Sequence, residues 1–373
     1  MALTAMVGLE PEANLACPAG GARELTAVVE RNRVSALRVG VIGVGFGQRV
    51  HVPAFRADAR CRVVAICCRN REHAARMAEQ LEVANAYGDA RQMLASGELD
   101  AVSIAVPPVL QPELLIAAAE AGKHVFCEKP LAADLPTAER ALAAVRKSGV
   151  VHAMDFIFPE IPAWQQARSV LAAGTLGKLR HAVVSWRMES YALAHGLESW
   201  KTRSAEGGGT LSNFASHSLY YLEWLLGPVT RLAARLTPRE AAGEVRVDAW
   251  LELASGCSVG LSVAADAFLG PGHRLEIYGE QGTLLLENCT TDYVNGFALS
   301  VGTRETGGLA TRPTERFPHV DGRIGAASSI VRRFIDAILA NTTVDPNLAH
   351  GLRVQQLMAA ARAADRSGCW QSV

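Results

Sequence analysis

Leu37-Arg-Val-Gly-Val-Ile-Gly-Val-Gly-Phe-Gly47 is the stretch that decides the fold of this chain. It alternates briefly, then turns continuously apolar through Ile42, as a parallel strand covered on both faces does. Glycines follow at once. Gly43, Gly45 and Gly47 allow a tight turn and a close backbone approach to a diphosphate, which would rest on the free N–H groups opening the next helix. That helix is predicted over Phe46 to Ala57, with Pro53 marking a kink or a delayed start. The full dinucleotide fingerprint places its third glycine where this chain has Gln48, so the glycine falls one position early. Gly43, Gly45, Phe46, Gly47 and Gln48 are therefore the first candidate cofactor contacts.

Reading outward, Arg62-Val-Val-Ala-Ile-Cys67 forms a second strand about 20 residues on, where such folds place the residue that recognises the adenosine ribose. An acid there would indicate NAD. The sequence instead reads Cys68-Arg69-Asn70-Arg71, with no carboxylate to repel a 2′-phosphate and two guanidinium groups able to grip one. This favours NADP, with NAD as the alternative. A helix is predicted over Glu72 to Leu81, and a third strand, Asp100 to Val106, ends at Pro107-Pro108, a rigid pair suited to wall a cofactor crevice. A helix from Pro112 to Ala121 capped by Gly122 leads to the strand His124 to Cys127 and then to Glu128-Lys129-Pro130.

Composition narrows the classes of function. With 373 residues the chain is long enough for two domains. The 37 basic residues balance 37 acidic ones, so no global field draws it to nucleic acid or anionic membranes. No apolar run reaches the length of a membrane span. Eight cysteines without a paired spacing fit a reducing compartment, and a cytoplasmic location is expected. Residues 1–36 read as an arm of mixed composition, expected to be disordered apart from a short helix over Glu24 to Arg31, and without the pattern of a secretory signal. His51, Cys61, His73 and His124 lack zinc-ligand spacing, so no metal site is expected. A G-x-S-x-G elbow is absent.

The chain resembles the family of glucose-fructose oxidoreductase, inositol dehydrogenase and MocA from Leu37 almost to the end. The likeness rests on the early glycines, Asp100 to Pro108, Ala121-Gly-Lys-His-Val-Phe-Cys-Glu-Lys-Pro130, Gly207 to His217, Leu225-Leu-Gly227, Gly279-Glu-Gln-Gly-Thr283 and Pro346 to Gly368. It implies an α/β protein with a Rossmann domain over 37–155 and a substrate-binding and oligomerisation domain over 156–373 built on an open, mainly antiparallel sheet. Alternating segments at His181 to Met188, Arg246 to Leu253, Cys257 to Ala264 and Arg274 to Tyr278 read independently as half-exposed strands. In this family the outer face of that sheet joins subunits, so a homodimer or homotetramer is expected.

Moving a hydride to or from a carbon that bears oxygen needs a proton donor or acceptor at that oxygen. Lys129 is the first candidate, and His217, where the family places its catalytic histidine, is the second. The family often carries aspartate at the positions of Asn213 and Tyr220, histidine at Gln111 and arginine at Pro159, so substrate anchoring is expected to differ here. Asn213 is expected to orient the imidazole or the substrate. Asp155, Trp200, Lys201, Arg203, Asn213, His217 and Tyr220 are the candidate substrate contacts, and Cys68, Arg69, Asn70, Arg71, Pro107, Pro108, Glu128 and Lys129 complete the cofactor set. The expectation is an NADP-preferring enzyme that interconverts a hydroxyl and a ketone on a sugar, cyclitol or related polyhydroxylated compound. The alternatives are a reductase of imines or unsaturated natural products, and a non-catalytic NADP-binding sensor or partner subunit.

Overall fold

A computed structural model describes residues 36–239 and 243–373; the arm and the helix expected over Glu24 to Arg31 lie outside the described residues. Six strands form the first sheet: β1 (Leu37–Ile42), β2 (Cys61–Cys67), β3 (Asn85–Tyr87), β4 (Ala101–Ile104), β5 (His124–Cys127) and β6 (His152–Met154). All pair in parallel, in the order β3-β2-β1-β4-β5-β6. The reversal of strand order falls between β1 and β4, where a doubly wound sheet opens its ligand crevice. The glycine turn lies at that point.

Each glycine of the turn has its own physical reason. Gly43 has φ +107°, and a Cβ on it would sit 2.1 Å from the Ala105 carbonyl oxygen. Gly47 faces inward, where a Cβ would press to 3.0 Å on Val41, so it permits the helix to lie close on the sheet. Gly45 has no atom within 4 Å of its missing Cβ and faces open space. The helix after the turn begins as a wide i→i+5 turn over Gly47–His51 and tightens into an α-helix at Val52–Arg56, with Pro53 in its first turn. The helix thus starts at Phe46 without delay, and the wide turn falls just before Pro53, where the ring's missing N–H needs no intrahelical partner.

The second sheet has nine strands: β7 (Leu179–Arg187), β8 (Val229–Pro238), β9 (Glu244–Leu253), β10 (Ser258–Ala264), β11 (Gly272–Gly279), β12 (Gly282–Asn288), β13 (Ala298–Thr303), β14 (Ala310–Arg312) and β15 (Gln371–Ser372). Only β7 and β10 pair in parallel; the rest are antiparallel. β7 alternates half-exposed Ala-Val-Val-Ser-Trp positions, with Ala182, Val184 and Trp186 inward, so one face is buried and the other open.

The helix Gly322–Ala340, although late in the chain, packs on the first sheet. Its Phe334 meets Phe55 and Phe126 at ring distances of 6.5 and 5.9 Å, inside a core shared with Val39, Val41 and Ile66. Burying such a ring contributes about 3 kcal/mol. The last helix, Leu348–Ser367, closes with Gly368 in the left-handed conformation that glycine adopts without strain. Among the described residues, no helix is long and apolar enough to cross a membrane.

Candidate active site

A cleft of about 1600 Å³ runs from the glycine turn, past the tips of β4 to β6, to the buried face of the second sheet. That is enough for a dinucleotide and a small substrate together. Gly43, Gly45 and Phe46 line one end, with Cys68 and Arg69 beyond the tip of β2. Open space at Gly45 fits a dinucleotide laid across this edge. Pro107, Glu128 and Lys129 continue the wall.

Several expected contacts are placed elsewhere. Gln48 is off the cleft. Gly47 is packed inward against Val41, so its part is helix–sheet packing and not ligand contact. Asn70 caps the next helix, its side chain accepting from His73 N at 2.8 Å, and Arg71 packs beneath Gly88. Pro108 lies against Gly207. Arg91 lines the cleft near Arg69 and was missed, because it follows a short third strand that carries no periodic signal.

Lys129 is held by its surroundings. Its Nζ donates to the Asn213 carbonyl at 2.8 Å, and Gln111, buried below, donates from Nε2 to the carbonyls of Glu128 and Pro130 at 2.5 and 2.9 Å. Gln111 therefore braces the turn that carries the lysine. Burial, against the pull of Glu128 and with Lys201 adding to it, lowers the Lys129 amine to about 8. A group that changes protonation so near neutrality suits acid–base work.

His217 stands on the opposite wall. Its helix, Ser216–Leu226, is preceded by a second wide turn over Leu211–Ala215, a feature enriched where helices carry function. The three glycines before it let chain segments touch: a Cβ on Gly208 would sit 2.0 Å from the Trp200 carbonyl oxygen, and one on Gly209 2.5 Å from the Glu244 carboxylate. Glu244 in turn accepts from Leu211 N at 3.0 Å. The His217 ring packs edge-on to Phe158 at 5.0 Å, and its Nδ1 has no hydrogen-bond partner. Burial, aided by the charge of Lys129, pushes it well below the ordinary histidine value, so it is neutral.

Three substrate-side expectations need correction. The Asn213 amide does not face His217 as an orienting group: Nδ2 donates to the carbonyls of Lys201 and Gly209 at 2.9 and 3.0 Å, closing the glycine loop, while its main-chain carbonyl anchors Lys129. Tyr220 points away from the cleft, stacked on Phe156 at 4.1 Å, and lines a separate cavity with Pro159 and Glu160. Tyr220 lies one helical turn after His217 and both rings touch Phe156, but the phenol extends past that ring toward His350 of the last helix. Arg203 is turned outward to Glu198 and Glu206 at 2.8 and 3.0 Å. Trp200 and Lys201 do line the cleft.

Asp155 lines the floor of the cleft, in a group that sequence reading did not assemble. His51 Nε2 sits 3.1 Å from Glu128 Oε1 and 3.2 Å from Asp155 Oδ2, and its Nδ1 lies 2.7 Å from Ser103 Oγ. No metal was expected; these three side chains nonetheless present atoms within 4.8 Å of one another. The imidazolium itself supplies a positive charge there: burial opposes it, but the bonds to Asp155 and Glu128 prevail and hold His51 up to about 9. Glu128 stays ionised, its burial outweighed by the bond to His51, whereas burial and the neighbouring Glu128 push the Asp155 carboxyl up. His273 was also missed. It stacks on Trp186 at 4.2 Å, bonds Tyr221 at 2.9 Å, and burial pushes it down to about 3.

Residues 37–156 match the model of an oxidoreductase family with an NAD-binding Rossmann fold, and residues 164–285 match the GFO/IDH/MocA C-terminal domain. An uncharacterized oxidoreductase of Synechocystis sp. is 34% identical over 360 residues, covering 90% of this chain and 96% of that one. The chain belongs to the Gfo/Idh/MocA oxidoreductase family. Levoglucosan dehydrogenase of Pseudarthrobacter phenanthrenivorans is 31% identical over 210 residues, 54% of each chain. Among solved structures, an NAD-binding oxidoreductase from Klebsiella pneumoniae superposes with a TM-score of 0.80 at 26% identity, covering 91% of this chain and 99% of that one. A levoglucosan dehydrogenase complex with NADH and levoglucosan reaches 0.82 at 24% identity, over 91% of this chain and all of that one; at that identity the likeness is one of fold.

Proposed function

We propose that this family member is an NADP-preferring dehydrogenase or reductase that interconverts a hydroxyl and a ketone on a sugar, cyclitol or related polyhydroxylated compound. The observation that carries the reading is that the Lys129 amine, lowered to about 8, shares one cleft with the glycine turn and with the neutral His217. Relatives support the substrate class: levoglucosan dehydrogenase, and D-glucoside 3-dehydrogenase of Escherichia coli at 31% identity over 52% of this chain.

Bound along the glycine turn, a nicotinamide cofactor supplies or accepts the hydride. The chain's own residues handle the proton. In the reducing direction the Lys129 ammonium, aimed by the Asn213 carbonyl, gives its proton to the ketone oxygen; in the oxidising direction the neutral amine takes it from the hydroxyl. His217, neutral and lining the cleft, accepts a hydrogen bond at Nε2 from the same or a neighbouring hydroxyl, its Nδ1 being buried away from the substrate. Lys201 and Trp200 bound the substrate end, together with the aromatic rings of Trp186, Phe214 and Tyr293.

The preference for the 2′-phosphate rests on Arg69 and Arg91, which line the adenosine end; the segment Cys68–Arg71 after β2 carries no acid, and the carboxylate in the lining there is Asp89, after β3. Calorimetry with NADPH and NADH tests it. NADPH is expected to bind at least about tenfold tighter, and Arg69→Ala to remove most of that margin. Equal affinity in the native protein overturns the preference, and no affinity for either cofactor overturns the enzyme reading. We further propose assembly into a dimer or tetramer through the outward face of the second sheet, where Trp250 is 45% exposed beside His181. Light scattering of the full chain reads the result directly.

A further inference from the structure

Two side chains of the buried triad, His51 and Asp155, have no assigned part in the proton transfer. We propose that they are positioning residues: with Glu128 they form a charged cluster at the cleft floor that aims the Glu128 carboxylate and, through its field, sets the proton affinity of the Lys129 amine. This rests on the reading of Lys129 as the proton-handling group.

The geometry brings three separate pieces of chain to one point. His51 comes from the wide turn after the glycines, Glu128 from the tip of β5, and Asp155 from the tip of β6. The two carboxylates are fixed by the sheet, since Glu128 N donates to the Ile104 carbonyl at 2.9 Å and Asp155 N to the Cys127 carbonyl at 2.8 Å. The imidazole is fixed between them by Ser103 and by the edge-on rings of Phe46 and Phe126 at 5.3 and 5.1 Å. These rings keep water from the histidine, which is fully buried, so charges here are weakly screened. Asp155 Oδ1 is buried without a hydrogen-bond partner and the Glu128 carboxyl adjoins it, so His51 is the positive charge that the two carboxylates share. Glu128 precedes Lys129 directly in the chain, which puts the cluster's net charge beside the amine.

The remaining charged and titratable neighbours are few. Lys201 and His217 face Lys129 from the opposite wall, while Arg323, Tyr293 and Cys127 sense Glu128. With both carboxylates ionised around the imidazolium, the cluster carries one net negative charge and favours the ammonium; with one carboxylate neutralised it carries none, and the amine loses its proton more readily.

The test follows the protonation of Lys129 itself. The full chain is labelled by reductive methylation across a pH series, and the rate at Lys129 is read by mass spectrometry, without substrate. Asp155→Asn is expected to lower the midpoint by about one pH unit. Adding His51→Gln to that variant removes the opposite charge and is expected to return the midpoint toward the native value. A merely structural role gives no such restoration. If Asp155→Asn does not fold, Glu128→Gln removes a charge of the same sign, and the same downward shift is expected. An unmoved midpoint, or a double variant that shifts further down, overturns the proposal. Normal turnover by Lys129→Met would instead defeat the functional reading while leaving the midpoint shifts to stand or fall by themselves.

Discussion

His51 and His217 are both buried, one at the end of a wide helical turn and the other just after one, yet the first is charged and the second neutral. Burial penalises the imidazolium in each. His51 escapes because Asp155 and Glu128 stand within 3.2 Å of its Nε2; His217 has Phe156 and Phe158 instead. Partners, more than burial, decide the charge state of an enclosed histidine. The consequence for function is an asymmetric cleft: a charged floor under Lys129 and a neutral acceptor facing it.

Removing the lysine between them should have the largest effect. Lys129→Met is expected to lower kcat on a suitable ketose or polyol by roughly 10³-fold while calorimetry still detects cofactor binding, since general acid–base groups contribute 10²–10⁴. Next comes His217→Gln, which keeps a hydrogen-bond acceptor and is expected to cost kcat about 10²-fold. Losing turnover to a similar degree in both variants would mean the two act as one unit.

The charge states themselves can be broken apart by stability measured against pH. The His51 value is raised in the fold, so its contribution is fully present below about 6.5 and lost as pH rises through about 9. Thermal denaturation of His51→Gln should therefore show a deficit on the order of 3 kcal/mol at pH 6 that shrinks toward pH 10. His217 has a depressed value, so its contribution is present above about 6.5 and lost on acidification; His217→Gln should gain on the native protein as pH falls from 7 to 5. Parallel behaviour of the two variants would erase the distinction. The smallest effect expected is at Arg203, whose pairs with Glu198 and Glu206 are exposed: Arg203→Ala should change turnover less than about twofold.

How much of this was readable in the chain differs between the two halves of the cleft. The first sheet was legible because parallel strands buried on both faces give continuous apolar runs, and the glycines and Pro53 act on the backbone locally. His124 to Cys127 was bounded as observed. Strands β12 and β13 went unpredicted, since Thr283 to Glu287 and Ala298 to Gly302 are too evenly buried to alternate. Lys129 was legible by its setting between Glu128 and Pro130. The triad was not, because His51, Glu128 and Asp155 are separated by 77 and 27 residues and meet only through the parallel pairing of β5 and β6. Tyr220 and Asn213 show the converse: proximity in sequence to His217 suggested a shared pocket, whereas stacking on Phe156 holds one toward a separate cavity and the glycine loop captures the amide of the other.

The account turns on an amine that gives and takes a proton near neutral pH. Following the Lys129 side chain by NMR in the native full chain, with the assignment made by its loss in Lys129→Met, reads this without any choice of substrate. A titration midpoint near 8 is expected. A midpoint at or above 10, as for a lysine in water, would contradict the role given to Lys129.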